Sequence, residues 1–341
     1  MKAAVTDGKG KVWIDEVPVP EIGNYECLCA IKACATCSGT DLKHIHNKLP
    51  WEQNYPGILG HESVGTVTEI GNKVKNIKVG DRFLRPTAVY RGQKLGDYYS
   101  LWGGFAEYGL VTDVQALKED QPDIELNGYM KFQQKIPADI TISDLDATSL
   151  ITLKETASYI ISAGITLNRS VLVLGVGSVG ICMIRFAKTF GGCPVIAVAR
   201  RDEPLAYAKK IGANFAINVN KTSLCEEVKK ITGENGVDFI IDTTGNKSIL
   251  EESLKILAPE GKIAPYATYE KGVNVRGNID PAKLVLASTG EVIIHQYMLD
   301  AVRLSLFNPA DFYSHTMPLE NIAEGFEMLK RKEAFKIVFE M

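Results

Sequence analysis

The sequence is short of several features, and each shortage closes a class of function. No apolar run reaches the roughly 18 to 20 residues needed to cross a bilayer, so a membrane partner is not expected. Positive charge is not in excess: 38 Lys and Arg against 41 Asp and Glu leave a net charge of −3, which argues against nucleic acid or anionic lipid as a partner. The densest basic stretch, Lys73, Lys75 and Lys78, is broken by Val74, Asn76 and Ile77, and pairs such as Lys209 and Lys210 stand alone. The opening Met1-Lys2-Ala3-Ala4-Val5 runs straight into a strand pattern with no apolar leader, which predicts a cytoplasmic protein. Cysteines number seven, an odd count, and four of them crowd into residues 27–37. A secreted disulfide framework is spaced differently, so free thiols in a reducing compartment are expected. Internal repeats and low-complexity tracts are also missing.

What is present is an ordinary globular composition, 45% hydrophobic and 23% charged over 341 residues. At roughly 150 residues per domain this length suggests two domains. Residues 1–150 read as short apolar stretches punctuated by Asp7-Gly8, Pro18, Pro20, Gly71-Asn72 and Gly80-Asp81, the spacing of a distorted antiparallel barrel or sandwich. Within it, residues 85–100 are polar and tyrosine-rich and read as a surface loop. Beyond residue 150 the rhythm becomes strand–helix alternation: strands near 171–174, 194–199, 216–219, 239–243 and 261–266, with helices between them. That alternation specifies a doubly wound parallel sheet, an α/β Rossmann-type domain. The C-terminal part reads as strand, helix and strand over 311–341. Residues 291–294 read as a strand able to pair across a two-fold axis, which predicts a homodimer or homotetramer.

Gly175-Val176-Gly177-Ser178-Val179-Gly180 fits GxGxxG. Thirty glycines make chance matches easy, but this one closes an apolar strand and opens a helix, the setting that a dinucleotide site needs. Gly175 permits the tight turn, Gly177 lets the backbone approach a pyrophosphate, and Gly180 lets helix pack on strand. The N–H groups of Ser178, Val179 and Gly180 then face the phosphates at a helix N-terminus. About 20 residues on, NAD-binding domains carry a carboxylate for the adenosine ribose. Here that position is Ala199, followed by Arg200 and Arg201. Guanidinium groups suit a 2′-phosphate, so NADP(H) is expected in preference to NAD(H). Asp202 lies close enough to matter if the strand ends later than expected.

The first domain holds Cys37-Ser38-Gly39-Thr40-Asp41 and Gly60-His61-Glu62. Thiolate, imidazole and carboxylate are ligands that zinc accepts. With these motifs go Val79-Gly80-Asp81-Arg82, Gly103-Gly104-Phe105-Ala106-Glu107-Tyr108, the glycine turn, Asp242-Thr243-Thr244-Gly245 and Pro318-Leu319 with Ala323 and Phe326. Together they make the chain resemble the medium-chain zinc-dependent alcohol dehydrogenases, in the branch of sorbitol, threonine and other polyol dehydrogenases.

The resemblance implies a mostly β, GroES-like catalytic domain over 1–152 and 297–341 and a Rossmann domain over 153–296. It implies one catalytic Zn2+ on Cys37, His61 and Glu62, with Glu62 a third ligand or a catalytic one that exchanges with substrate, and with Asp41 fixing the tautomer of His61. Thr40 would relay the proton of a small-molecule alcohol or polyol, or of its carbonyl partner, and Lys336 would lie near the cofactor phosphates. Three departures qualify it. Ser38 is an extra residue in the Cys-to-Thr spacing, which puts Lys43 where relatives carry a relay histidine, with His44 beside it. The position of a further ligand, 24 residues before the glycine turn, falls on Ile151, followed by Thr152; Glu155 is the nearest carboxylate and reads either as one that approaches the metal or substrate or as a first-turn helix residue. Residues 85–125 contain no cysteine, so no structural zinc is expected. Zinc-free quinone or enoyl reductases of the same fold, and simple alcohol or aldehyde dehydrogenases, are the alternatives. Trp51, Trp102 and Tyr98 are candidates for the substrate pocket, with packing as the competing role.

Overall fold

The computed structural model describes residues 1–341, apart from the side chain of Arg276. The chain divides into two compact units, Met1–Thr152 with Glu291–Met341, and Leu153–Gly290. The return to the first unit starts at Glu291, before the expected residue 297.

The first unit is built on two sheets. The larger has the order Gln134–Ile136, Arg82–Leu84, Glu62–Ile70, Glu26–Ala35, Ile337–Glu340, His315–Pro318, with Tyr108–Thr112 also pairing to Glu26–Ala35. Glu26–Ala35 is therefore the hub, hydrogen-bonded antiparallel to three strands. Its near-continuous run Cys27-Leu28-Cys29-Ala30-Ile31 suits a strand covered on most sides. The smaller sheet runs Val12–Glu16, Lys2–Thr6, Gly57–Ile58, Tyr98–Ser100, Lys94–Leu95. The stretch 85–100, expected as a loop, thus contributes two short strands, because Tyr98–Ser100 finds a partner in Gly57–Ile58 that lies far from it in sequence. Phe105 anchors the core between them, its ring meeting Phe326 edge-on at 6.2 Å and Phe339 at 5.7 Å. One strand expectation fails. Residues 291–294 form turns, not a strand. The buried Glu291 carboxylate is held by Arg85 at 3.0 Å, and a helix starts directly afterwards at His295–Arg303, so the apolar Val292-Ile293-Ile294 run has no room to extend.

The second unit is a five-stranded parallel sheet, in the order Phe215–Asn218, Val195–Ala199, Val171–Leu174, Val237–Asp242, Leu257–Pro265. Helices Ser178–Thr189, Asp202–Ile211, Leu224–Thr232 and Lys247–Ser253 alternate with the strands. Their caps match their sequences: Ser223 accepts from the N–H of Glu226, Asn246 from those of Ser248 and Ile249, and Gly233 closes its helix in the left-handed region. Val171–Leu174 is fully buried apolar residue by residue, as a central parallel strand requires. The long helix Asp144–Ser162 leads into this unit. Glu155 sits in its middle, not in its first turn as the sequence suggested. Among the described residues no helix is long and apolar enough to cross a membrane.

Candidate functional site

In the first unit, Cys37 closes the hub-strand segment and stands at the head of the helix Ser38–Ile45. Asp41, in the first turn, folds back so that its carboxylate accepts from the Cys37 N–H at 2.8 Å. Ser38, the extra residue, is absorbed as the first residue of this helix. His61 and Glu62 arrive from the other direction. Gly60 has φ +99°, and a Cβ there would lie 2.5 Å from the Phe105 nitrogen, so only glycine makes the bend that delivers both residues. One ligand atom from each of Cys37, His61 and Glu62 lies within 4.8 Å of the other two.

The surroundings are those of a cation site. The Asp41 carboxylate lies 3.7 Å from His61 Nδ1, and both of these buried atoms lack a hydrogen bond. Burial pushes the Cys37 thiol up to about 12, with Glu62 and Asp41 adding to it. Burial likewise raises Asp41 to about 8 and holds His61 well below the usual histidine range. Neutral His61 is the form a metal binds, and a divalent ion reverses the penalty on the thiolate and the carboxylates. The donor set therefore fits zinc. Thr40 Oγ1 accepts from the Cys37 thiol at 3.5 Å, which places its hydroxyl beside the ligand atoms.

Several residues around the ligands were not foreseen. Glu62 Oε1 accepts from the Thr152 hydroxyl at 2.9 Å, and its other oxygen is ion-paired with Lys336. Lys336 is 1% exposed and also donates to Thr152 Oγ1 at 2.7 Å. Its ammonium is thus directed at a metal ligand, a different partner from the cofactor phosphates expected. Arg85, buried at φ +64°, donates to the His61 carbonyl at 2.8 Å. Trp102, at φ +75°, sets its indole 4.7 Å from the His61 ring. Nothing in the local sequence marks these contacts, since the partners are far apart along the chain. Ile151 is fully buried apolar core. Glu155, in the second unit, accepts from the Tyr266 hydroxyl at 3.3 Å.

In that second unit the glycine turn has the anticipated form. Gly175 has φ +95°, and a Cβ there would crowd Thr243 Oγ1 at 2.8 Å. Gly180 is stricter still: its Cβ would fall 2.1 Å from the Gly175 carbonyl. Gly177 meets nothing within 4 Å and caps the helix that starts at Ser178, so its lack of a side chain answers no need of the protein alone. The first helical bond runs from Ile181 N–H to Gly177, which leaves the N–H groups of Ser178, Val179 and Gly180 without an intrahelical acceptor. Thr243 donates to the Leu174 carbonyl at 2.8 Å, and the buried Asp242 accepts from Thr244 and Tyr269, so the two central strand ends are tied together under the turn. Ala199 ends its strand, with Arg200 and Arg201 exposed after it. Asp202 is taken up by Asn218, at 2.7 Å, and by an ion pair with Lys221.

Comparison with known proteins agrees with this picture. Residues 23–121 match the alcohol dehydrogenase GroES-like domain and residues 178–294 the zinc-binding dehydrogenase model. A sorbitol dehydrogenase of Bacillus subtilis is 32% identical over 77% of this chain and 74% of its own length. An alcohol dehydrogenase from Thermus sp. ATN1 superimposes with a TM-score of 0.82 at 23% identity, covering all of both chains. A zinc-binding dehydrogenase from Sinorhizobium meliloti bound to NADP does so with a TM-score of 0.80 at 21% identity, covering 100% of this chain and 99% of its own. At these identities the two structures speak for the fold.

Proposed function

This chain belongs to the zinc-dependent medium-chain alcohol dehydrogenase family, and we propose that it moves a hydride between NADP(H) and a secondary alcohol or its ketone, a polyol or sugar in particular. The observation that carries the reading is the convergence of Cys37, His61 and Glu62 in a buried setting. These three residues would hold one zinc ion, which when bound makes an alcohol hydroxyl easier to deprotonate or polarises a carbonyl, while the dinucleotide takes or gives the hydride. The chain's own residues do the rest. Asp41 lies 3.7 Å from His61 Nδ1 and would, on closing to a hydrogen bond, fix the other ring nitrogen for the ion. Lys336 and Thr152 orient the Glu62 carboxylate. Thr40 Oγ1, beside the Cys37 sulfur, would accept the substrate's hydroxyl proton while giving its own hydroxyl proton to solvent. The open backbone at Gly177 and the free N–H groups of Ser178, Val179 and Gly180 receive the pyrophosphate.

Preference for NADP(H) is supported by Ala199 in the carboxylate position and by the exposed Arg200 and Arg201. Asp202, the acid next to Arg201, is already occupied by Lys221 and Asn218, so it is poorly placed to bind a ribose. The test is a panel of polyols, sugars and simple secondary alcohols with both cofactors, with and without zinc, run on the wild type and on Cys37→Ser. Loss of zinc and of activity together in the variant supports the reading. Full activity in Cys37→Ser after chelation ends it.

A further inference from the structure

The first unit carries a pocket that the hydride-transfer machinery does not use. It has a volume of about 160 Å³ and is lined by His44, Gln53, Arg91, Trp51 and Trp102 among others. His44 is only 3% exposed, and its two ring nitrogens and the two polar atoms of the Gln53 amide, all buried, have no partner beyond one another. A single pairing between them still leaves two buried polar atoms on this cavity without a partner, which is costly in an empty protein. Burial holds His44 down to about 4 against an opposing hydrogen bond with Gln53, with Arg91 adding to the lowering, so at neutral pH the imidazole both donates and accepts.

The pocket adjoins the ligand cluster. The Trp102 indole contacts the His44 ring and the His61 ring, each at 4.7 Å. Its left-handed backbone is secured on both sides, by Ser100 accepting from its N–H at 3.2 Å and by the Thr87 hydroxyl donating to its carbonyl. A bulky residue kept in that region is a sign of a positioned side chain.

Resting on the hydride-transfer reading above, we propose that this pocket is the far subsite of the substrate, and that it takes the anionic end of a polyhydroxylated chain. The volume decides how much enters: a cavity of ~150 Å³ accommodates one benzene ring, so about half a dozen non-hydrogen atoms fit here. That is a terminal phosphate or carboxylate with a carbon or two, not a whole sugar. The hydroxyls nearest the anion meet His44 and Gln53, which offer donors and acceptors in equal measure. The exposed Arg91 guanidinium meets the charge with the fork that suits either anion, Glu52, the acid in the same lining, is exposed to solvent, and Trp51 and Trp102 cover the carbon chain.

Tryptophan fluorescence of the zinc-loaded full-length protein reads the site directly, since two of the three tryptophans line it. The protein is titrated with sorbitol 6-phosphate, gluconate and sorbitol. At least one of the two anions is expected to bind about tenfold or more tighter than sorbitol, and the tighter one identifies the group. Arg91→Ala, at an exposed position, should erase that difference, and Gln53→Ala should weaken all three ligands several-fold. Equal affinity for sorbitol and both anions, or anion affinity unchanged in Arg91→Ala, overturns the proposal. Turnover of 2-butanol, too short to reach the pocket, reports on the underlying reading separately. Anion binding with no turnover of 2-butanol or of any polyol or sugar in the panel would support the pocket and sink hydride transfer. Normal 2-butanol turnover with no anion preference would do the reverse.

Discussion

The two sites of this molecule are specified in opposite ways. The cluster at Cys37, His61 and Glu62 is made of side chains, each with a buried neighbour that charges, orients or holds it. The turn at 175–180 is made of their absence, three glycines whose missing Cβ atoms leave room for backbone and for ligand. A side-chain site fails when a partner is removed; a backbone site fails when an atom is added.

The sharpest way to break the first is Lys336→Met. Removing one member of a buried ion pair strands the other charge, at a cost of about 3 to 5 kcal/mol. Thermal melting of the zinc-free protein should show that loss. Bound zinc should shrink it, because the ion compensates Glu62, and the double variant Lys336→Met with Glu62→Gln should recover most of it. If Lys336→Met melts like the wild type without zinc, the ion pair does not govern this site. In the second site the matching experiment is Gly180→Ala. Its Cβ would meet backbone at 2.1 Å, so we expect a stability loss of about 1 to 3 kcal/mol together with loss of dinucleotide binding. Gly177→Ala separates the two effects: melting should stay within about 0.5 kcal/mol of wild type, while NADPH affinity falls because the added methyl stands where the pyrophosphate approaches. Equal damage to stability at both glycines would undo the distinction.

A smaller effect is expected where side chains decorate the backbone site. Replacing Arg200 and Arg201 by Ala should lower the NADPH-to-NADH ratio of kcat/KM by about ten- to a hundredfold, the worth of one or two charge-assisted bonds. NADH turnover itself should hardly change. A ratio unmoved by the double substitution would remove the arginines from cofactor choice. Smallest of all, Thr243→Val should cost about 1 kcal/mol in melting, since the hydroxyl donates to the Leu174 carbonyl.

The same contrast explains what the sequence could disclose. Glycines announce themselves, because few residues satisfy a positive φ or a 2 Å approach, so the turn and its strand–helix setting were legible from the letters alone. Cys37, His61 and Glu62 were legible as ligand types in a familiar spacing. Their supports were not. Thr152 and Lys336 are separated by 184 positions, and a buried lysine looks like any other lysine until the fold removes its water. Arg85 and Trp102 occupy left-handed backbone that no propensity favours. The run Val292-Ile293-Ile294 had the composition of a strand, but the burial of Glu291 against Arg85 and the helix start at His295 outweighed it. Trp51 and Trp102 do line a pocket, whereas Tyr98 is spent on a hydrogen bond to Asp15.

The first unit is threaded from both ends of the chain, and this bears on the order of assembly. Glu26–Ala35 waits for Ile337–Glu340 as its neighbour, and Glu62 waits for Lys336, whereas the parallel sheet of residues 153–290 is contiguous. During synthesis the half at 153–290 can close before residue 336 is made, and the ligand cluster acquires its counter-charge only once that residue has followed. Pairing of Glu62 with Lys336 is therefore a late event in folding, and nascent chains stalled before residue 336 should emerge with one finished half and one unfinished half.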